Sequence, residues 1–260
     1  MLGYWILGNE IDFGGRRRAR VRANRPWSEV EGWSPDLLKS QVYEQLLFDV
    51  ILSVLPPGSR LDEEVLTRRY RAGLSGVREA LGRLSLEGLV VRRARAGTTV
   101  APLDISEARQ ILEVRRLIEP HAAALAAEHA SVEDIEDLRE AFDGAEAALS
   151  AGDRGTLILM DQDFHFQMAR ACGNPTLARI LSPLQRKSAR FWACSIVASN
   201  RARTRADVDA YRAVVGCVAE RDAEGARAAV LRTLRGLLDG IDRMAADDAA
   251  PVRSPIFSVA

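Results

Sequence analysis

Asp161 and His165 are one helical turn apart, in a segment whose apolar residues also recur at helical spacing. That spacing puts a carboxylate and an imidazole on one face of a helix, as they need to be to share a divalent metal ion or a bound ligand. The alternative is a buried hydrogen-bonded pair that orders the packing of helices. Phe164, Met168 and Cys172 form a stripe along the same segment, and we interpret that stripe as core.

Arg115 is a second candidate for ligand chemistry, within the motif EVRRLIEPHAAALAA. A guanidinium presents a planar fork of donors that holds both oxygens of a carboxylate. The alternative is a solvated arginine, or one in a salt bridge with Glu119, one turn further along. The sequence leaves both interpretations open.

A basic segment from Pro56 to Pro102 carries the candidates for binding nucleic acid. A helix fits the major groove of B-form DNA, and flanking arginines neutralise phosphates and release counterions. We expect Arg78 to contact the groove. The predicted DNA-binding residues are Arg68, Arg69, Ser75, Arg78, Arg95 and Gly97. The alternative is a protein-interaction module built from the same elements.

Three helical patterns position these residues. The first begins at Leu37 and ends before Pro56, and the second begins at Asp62. The third runs from Leu74 to Gly88, a glycine placed where a helix end needs a left-handed residue.

The faces of these helices and the hairpin behind them complete a winged helix-turn-helix. The buried face of the third helix is expected at Val77, Ala80, Leu81 and Leu84. Its outward face is expected at Ser75, Gly76, Arg78, Glu79 and Gly82. The apolar face of the second helix is expected at Val65 and Leu66. Strands at 89–93 and 98–101 are joined through a turn at Gly97.

Behind Pro102, six helical patterns follow one another with short breaks. They are expected at 104–129, 131–150, 154–172, 175–198, 203–220 and 223–244. Such elements pack as an antiparallel bundle. The predicted fold class is mainly α, with a winged helix-turn-helix at 37–102 and an all-α bundle at 103–244. Residues 1–36 are expected to be a disordered leader and residues 245–260 a disordered tail.

Charge is unevenly distributed, although 36 Lys and Arg balance 36 Asp and Glu over the whole chain. Residues 37–101 contain ten Lys and Arg against seven Asp and Glu, whereas residues 102–260 contain twenty against twenty-four. A basic front part favours a polyanion as its partner, and an acidic rear part favours a different task.

Other features exclude several classes of protein. Cys172, Cys194 and Cys217 stand singly, without the close pairing of a zinc ribbon or disulfide framework, so we expect a reducing cytoplasm. The N-terminal residues have no apolar run long enough for a membrane span, and no export signal is expected. With three histidines and no phosphate loop or nucleophile motif, the chain is not expected to be an enzyme.

The front part resembles the DNA-binding domain of the GntR family of bacterial transcription regulators. The resemblance rests on PPGSRL at 56–61, VREALGRLSLEGLV at 77–90 and RRARAGTTVAP at 92–102. It implies that Arg78 and the wing residue Gly97 lie at the DNA.

One short segment of the front part departs from that family's pattern. Residues 73–76 are GLSG, where the family has Ser or Thr, a basic residue, a Thr-like residue and Pro. Gly costs little as a helix cap relative to Ser or Thr. Leu74, however, puts an apolar side chain where an arginine would meet a base or a phosphate, so altered sequence preference or weaker binding is expected.

The rear part resembles the ligand-binding FCD domain of the FadR-type subgroup of the same family. The matching stretches are at 113–127, 161–177 and 209–230. The resemblance places Arg115 at the effector cavity, and Tyr211 at a position where many members have a ligand to a metal.

In many members of the subgroup an Asp, a His and two further histidines hold a divalent metal. The matching positions here are Asp161, His165, Tyr211 and Thr233. Tyr and Thr are poor ligands for a transition metal, and two ligands rarely hold a metal tightly, so a metal is disfavoured and no other cofactor is expected. The expected effector-binding residues are Arg115, Asp161, His165 and Tyr211.

Together, the resemblances cover roughly residues 38–244 and imply a transcription regulator. We expect a homodimer on a near-palindromic double-stranded DNA operator, repressing until a small carboxylated metabolite binds in the bundle. One alternative is a metal-binding all-α protein or enzyme that uses Asp161 and His165, with the front domain serving assembly. Another is an architectural dimer with a solid bundle and no ligand.

Overall fold

The computed structural model describes residues 38–246 and, ahead of them, strands β1 (Trp5–Leu7) and β2 (Glu10–Asp12), which pair antiparallel. The rest of the predicted leader, and the tail from residue 247, lie outside the described residues, so their disorder stays a prediction. Residues 38–104 belong to one compact unit, and residues 105–246 belong to another, which also includes β1 and β2.

The first unit contains three helices and a three-stranded sheet. Its elements are α1 (Leu38–Ile51), β3 (Arg60–Leu61), α2 (Glu63–Tyr70), α3 (Leu74–Leu86), β4 (Val90–Arg93) and β5 (Gly97–Val100). The strand order is β3-β5-β4, and both pairings are antiparallel. The sequence did not predict β3, because two residues are too few to show the alternation of a strand. The first helix also ends earlier than predicted, at Ile51, and Ser53 then adopts a positive φ of 55°.

The core of this unit lies between α1 and α3. Val77, Ala80, Leu81 and Leu84 are all fully buried, which confirms the predicted inner face of α3. Gly76 is buried too, so its predicted outward position was wrong. It precedes Ala80 by one helical turn and therefore shares its face.

The second helix buries only one apolar residue. Leu66 is 3% exposed, whereas Val65 is 50% exposed, so the prediction that both line the core was wrong. Neighbouring residues on a helix point about 100° apart, and α2 has only eight residues with which to cover the core. Its start is as predicted, because the Asp62 side chain accepts hydrogen bonds from the backbone N–H groups of Glu64 and Val65.

The second unit contains the seven helices of residues 105–246. They are α4 (Ile105–His129), α5 (Val132–Glu140), α6 (Ala145–Ala151), α7 (Arg154–Ala171), α8 (Pro175–Ala198), α9 (Arg201–Ala219) and α10 (Ala223–Ala246). The single helix predicted at 131–150 was therefore wrong. The chain turns at residues 141–144, where Gly144 has a φ of 81° and Phe142 is buried.

Helix α7 is the central helix of the bundle. Nearly all its residues are buried, and it packs against α4, α5, α6 and α8, while α10 packs along α4 and α9. Phe164, Met168 and Cys172 are buried, so the predicted core stripe is confirmed. Because α7 is enclosed, its polar residues Asp161 and His165 lie inside the bundle, where each needs partners.

In the part of the chain that the structure describes, no helix is both long and apolar enough to cross a membrane.

Candidate functional site

The most exposed basic side chain of α3 is held by a carboxylate of α2. Arg78 donates from Nε to Oε2 of Glu63 at 2.7 Å, and its side chain is 59% exposed. Arg92 of β4 reaches the same carboxylate, with Nη2 lying 3.9 Å from Oε1 of Glu63. We call Arg78, Arg92 and Glu63 the arginine face.

The other predicted DNA-binding residues of α3 and the wing are also exposed. Ser75 lies in the first turn of α3, and Leu74 beside it exposes 41% of its surface. Arg95 occupies the wing turn with a positive φ of 64°, and Gly97 follows with a φ of 89°. A Cβ atom at Gly97 would meet the Arg60 guanidinium only at ordinary contact distance, so it is the positive φ that disfavours other residues there. These residues are all accessible to a DNA partner.

The two arginines of α2 differ in their surroundings. Arg68 is 70% exposed and lies 4.0 Å from Glu64. Arg69 donates from Nη2 and Nε to Oδ2 of Asp49 at 2.8 and 3.1 Å, and the Tyr70 hydroxyl donates to the same oxygen at 2.6 Å. Burial raises the pKa of Asp49, and these donors oppose that rise. Arg69 therefore fixes α2 to α1, and any DNA contact would be additional to that role.

A second site, buried in the bundle, centres on Glu119 of α4. Arg115 donates from Nε to Oε2 at 2.7 Å and from Nη2 to Oε1 at 3.1 Å, so the predicted salt-bridge alternative is the observed arrangement. Gln185 of α8 also donates to Oε1, at 3.2 Å. Burial would raise the pKa of Glu119, but the charge of Arg115 and these hydrogen bonds outweigh it, and the pKa lies below its usual value.

His165 lies between two carboxylates. Its Nδ1 is 3.5 Å from Oε1 of Glu119, and its Nε2 is 3.6 Å from Oδ1 of Asp161. Asp161 and His165 thus share one face of α7 as predicted, but at distances longer than a hydrogen bond. Burial lowers the pKa of His165, and the two carboxylates only partly oppose this, so the ring is neutral at neutral pH.

Tyr211 of α9 closes the cluster. Its ring stacks on Phe142 with centroids 5.4 Å apart and lies 4.8 Å from the Phe164 ring, while its hydroxyl hydrogen-bonds to Asp161. Burial raises the pKa of Tyr211 well above its usual value, so the hydroxyl keeps its proton and donates it. We call Arg115, Glu119, Asp161, Gln162, His165, Gln185 and Tyr211 the buried cluster.

Among the described residues, three polar atoms of the buried cluster have no hydrogen-bond partner: Nδ1 of His165 and two amide oxygens, which are acceptors, Oε1 of Gln162 and Oε1 of Gln185. The neighbouring carboxylates fix which end of each amide is the oxygen, because a carboxylate can only accept. Gln162 donates its NH₂ group to Asp161 at 2.8 Å, and Gln185 donates its NH₂ group to Glu119. Buried polar atoms are normally satisfied by protein, water or a ligand. The cluster therefore has capacity for further hydrogen-bond donors. Sequence reasoning missed Gln162 and Gln185, because nothing in their spacing indicates a shared site.

A divalent metal does not fit the residues present. Asp161 is engaged by Tyr211 and Gln162, and Thr233 donates its hydroxyl to the backbone oxygen of Val230 at 2.8 Å. Within residues 38–246, no three His, Cys, Asp or Glu side chains are grouped so as to hold a metal ion. Structural and catalytic zinc sites use at least three protein ligands.

We expect the bundle to lose stability as the pH falls below about 6.5, the ordinary pKa of histidine. The unfolded chain takes up a proton there, whereas buried His165 stays neutral down to its lowered pKa, so protonation favours the unfolded state. In this pH range the free energy of unfolding of the His165→Asn variant, measured with a chemical denaturant, should change less with pH than that of the unmodified protein. His121→Asn, at an exposed position of α4, is the control. Equal slopes for His165→Asn and the unmodified protein would contradict this expectation.

Two family models match the chain. The model described as bacterial regulatory proteins, gntR family, matches residues 38–100, and the FCD domain model matches residues 110–236. Each match falls within one of the two units.

Individual relatives agree with these matches. The chain is 27% identical over 191 residues to the HTH-type transcriptional regulator McbR of Escherichia coli, spanning 73% of this chain and 86% of that protein. It is 27% identical over 145 residues to a probable D-xylose utilization operon transcriptional repressor of Paenarthrobacter nicotinovorans, spanning 56% of this chain and 64% of that protein. The solved structure of E. coli McbR/YncC has the same fold, with a TM-score of 0.72 at 23% identity over 80% of this chain and 99% of that one. The chain therefore belongs to the GntR family of bacterial transcription regulators and carries an FCD domain as its second unit.

Proposed function

We propose that this regulator is a cytoplasmic repressor that binds a near-palindromic operator as a homodimer and releases it when a small metabolite binds in the helical bundle. The observation that carries this proposal is the division of α3 into a fully buried apolar face and an exposed face bearing Ser75 and Arg78. A helix presented in this way can enter the major groove. Release requires that the metabolite bind more tightly to the conformation that does not fit the operator.

The effector site that we propose is the buried cluster. Its unpartnered acceptors support this location, because a ligand with hydroxyl or amine groups would satisfy them. A carboxylate on the effector would bind Arg115, where it would compete with Glu119 for the guanidinium. Such an exchange would disturb the contact of α4 with α8 through Gln185, which is a route from ligand binding to a change in the bundle.

The homodimer that we propose uses an apolar groove between α4 and α10. The groove has a volume of about 670 Å³, and its leucines are Leu112, Leu117, Leu231 and Leu238. Leu117 is 76% exposed, and with the other leucines of the groove it forms a contiguous apolar patch that a second copy could cover. Glu113 and Arg116, which also line the groove, are nearly one turn apart, so two copies of α4 packed antiparallel would pair opposite charges.

Replacing Leu117 with aspartate should weaken the dimer about tenfold or more, because a charge would be buried at its centre. Val132→Asp is the matched control, since Val132 is a 72% exposed apolar residue on α5, outside the groove. Sedimentation equilibrium of both variants measures the effect. If Leu117→Asp associates as Val132→Asp does, the dimer does not use this groove.

A reporter fused to the promoter that the protein binds tests the direction of regulation. Deleting the regulator should raise reporter expression if it represses. A fall in expression on deletion would show that the protein is an activator.

A further inference from the structure

Glu63 joins three elements of the DNA-binding unit. It is the first residue of α2, directly after the N-cap Asp62. One of its carboxylate oxygens accepts from Arg78 of α3 at 2.7 Å, and the other lies 3.9 Å from Arg92 of β4. A single carboxylate therefore links the start of α2 to both the recognition helix and the wing.

The arginines of this face are constrained in position. Arg92 lies beside Gly82 of α3, where even an added Cβ atom would stand at an ordinary contact distance, 3.7 Å, from its Nη1. Arg78 donates from Nε to Glu63, and the two terminal nitrogens of the Arg78 guanidinium can therefore donate to another partner. A guanidinium that is hydrogen-bonded along one edge presents its other edge in a fixed orientation. It therefore loses less side-chain entropy on binding DNA than an unconstrained arginine does.

We propose that Glu63 is a positioning residue that sets DNA specificity by holding Arg78 and Arg92. The proposal rests on the arginine face meeting DNA. Held by Glu63, the two arginines contact DNA in one register, and the nearby negative charge opposes loose binding to phosphates. Without the carboxylate, both arginines are free to bind any backbone phosphate, which strengthens binding to random DNA and adds to its salt dependence.

The chain offers a matched control at the next residue. Glu64 lies in the same turn of α2 and carries the same charge, but its side chain is 86% exposed, and its ion-pair partner among the described residues is Arg68, at 4.0 Å. Glu63→Gln and Glu64→Gln therefore remove the same charge from the same place, and only the first removes the link to Arg78 and Arg92. A difference in DNA binding between the two variants therefore reports the loss of the contacts with Arg78 and Arg92 and not the change in net charge.

The test compares full-length protein and both variants on two duplexes of equal length, across a salt series. One duplex is selected by the unmodified protein from a randomised library, and the other has a scrambled sequence. Glu63→Gln should lower the ratio of selected to scrambled affinity about tenfold, mainly by strengthening scrambled binding, whereas Glu64→Gln should change it less than about twofold. Equal ratios for the two variants would overturn the role of Glu63.

A double-mutant cycle separates positioning from a structural effect. If Glu63 acts through Arg78 and Arg92, Glu63→Gln should cost clearly less selectivity in an Arg78→Gln background, where only the weaker contact with Arg92 is left to lose. An undiminished loss in that background would overturn the proposal, as would a fall in melting temperature that accounts for the loss. Failure of the unmodified protein to select any duplex would instead overturn DNA binding by this unit, so the two failures are distinguishable.

Discussion

Replacing Arg78 with alanine is expected to weaken binding to a selected operator by about 1–3 kcal/mol, the cost of one good base or phosphate contact. Arg78 is exposed on α3, and Glu63 orients it by its Nε edge. The loss should be larger on selected than on scrambled DNA, because an oriented guanidinium contributes to recognition as well as to charge. Fluorescence anisotropy at fixed salt measures both affinities.

The control for Arg78→Ala is Arg205→Ala, which removes an exposed, ion-paired arginine from the second unit. That variant should bind both duplexes as the unmodified protein does. A folded Arg78→Ala protein with unchanged operator affinity would show that α3 does not present this residue to DNA.

Replacing Arg115 with methionine should lower the free energy of unfolding by about 3–5 kcal/mol, since it leaves the Glu119 carboxylate buried without its cation. Both side chains are almost inaccessible to solvent, so water cannot replace the lost partner. Arg115→Met with Glu119→Gln should recover much of the loss, because the uncompensated charge is gone. Denaturant unfolding of the single and double variants measures both effects.

Arg205→Met is the control at an exposed ion pair of the same unit. Arg205 pairs with Glu146, and both side chains are about half exposed, so its loss should cost under about 1 kcal/mol. Equal losses of unfolding free energy for Arg205→Met and Arg115→Met would contradict the conclusion that Arg115 neutralises a buried carboxylate.

Periodicity and turn chemistry predicted most of the fold. The Asp62 cap, the buried face of α3 and the Gly88 helix end follow from local sequence, and the structure contains each of them. The break at Gly144 was missed because the flanking apolar residues continue a helical spacing across it. The pairing of β3 was missed because it depends on a partner strand nearly forty residues away.

The candidate sites were less predictable than the fold. Helical spacing was enough to place Asp161 and His165 on one face, but not to show that Glu119 of another helix contacts the same ring. The sequence left the partner of Arg115 open; the structure shows a buried salt bridge with Glu119, and binding of an effector by the same guanidinium stays a prediction. Gln185 joins the cluster through the packing of α8 on α4, which no local pattern encodes.

The departure at residues 73–76 is visible in the structure as an altered helix start. Gly73 caps α3 without a side-chain hydrogen bond, and Leu74 is substantially exposed in its first turn. An exposed leucine can contact a thymine methyl group but cannot hydrogen-bond to a base or phosphate. We therefore expect the operator of this regulator to differ from those of relatives with a basic residue there.

Binding of full-length protein to duplex DNA across a salt series shows whether this protein is a DNA-binding regulator. We predict measurable binding at low salt, an affinity that falls linearly with salt on logarithmic axes, and a preference for the selected duplex that persists at physiological salt. No binding to either duplex at low salt would contradict the account of this protein as a DNA-binding regulator.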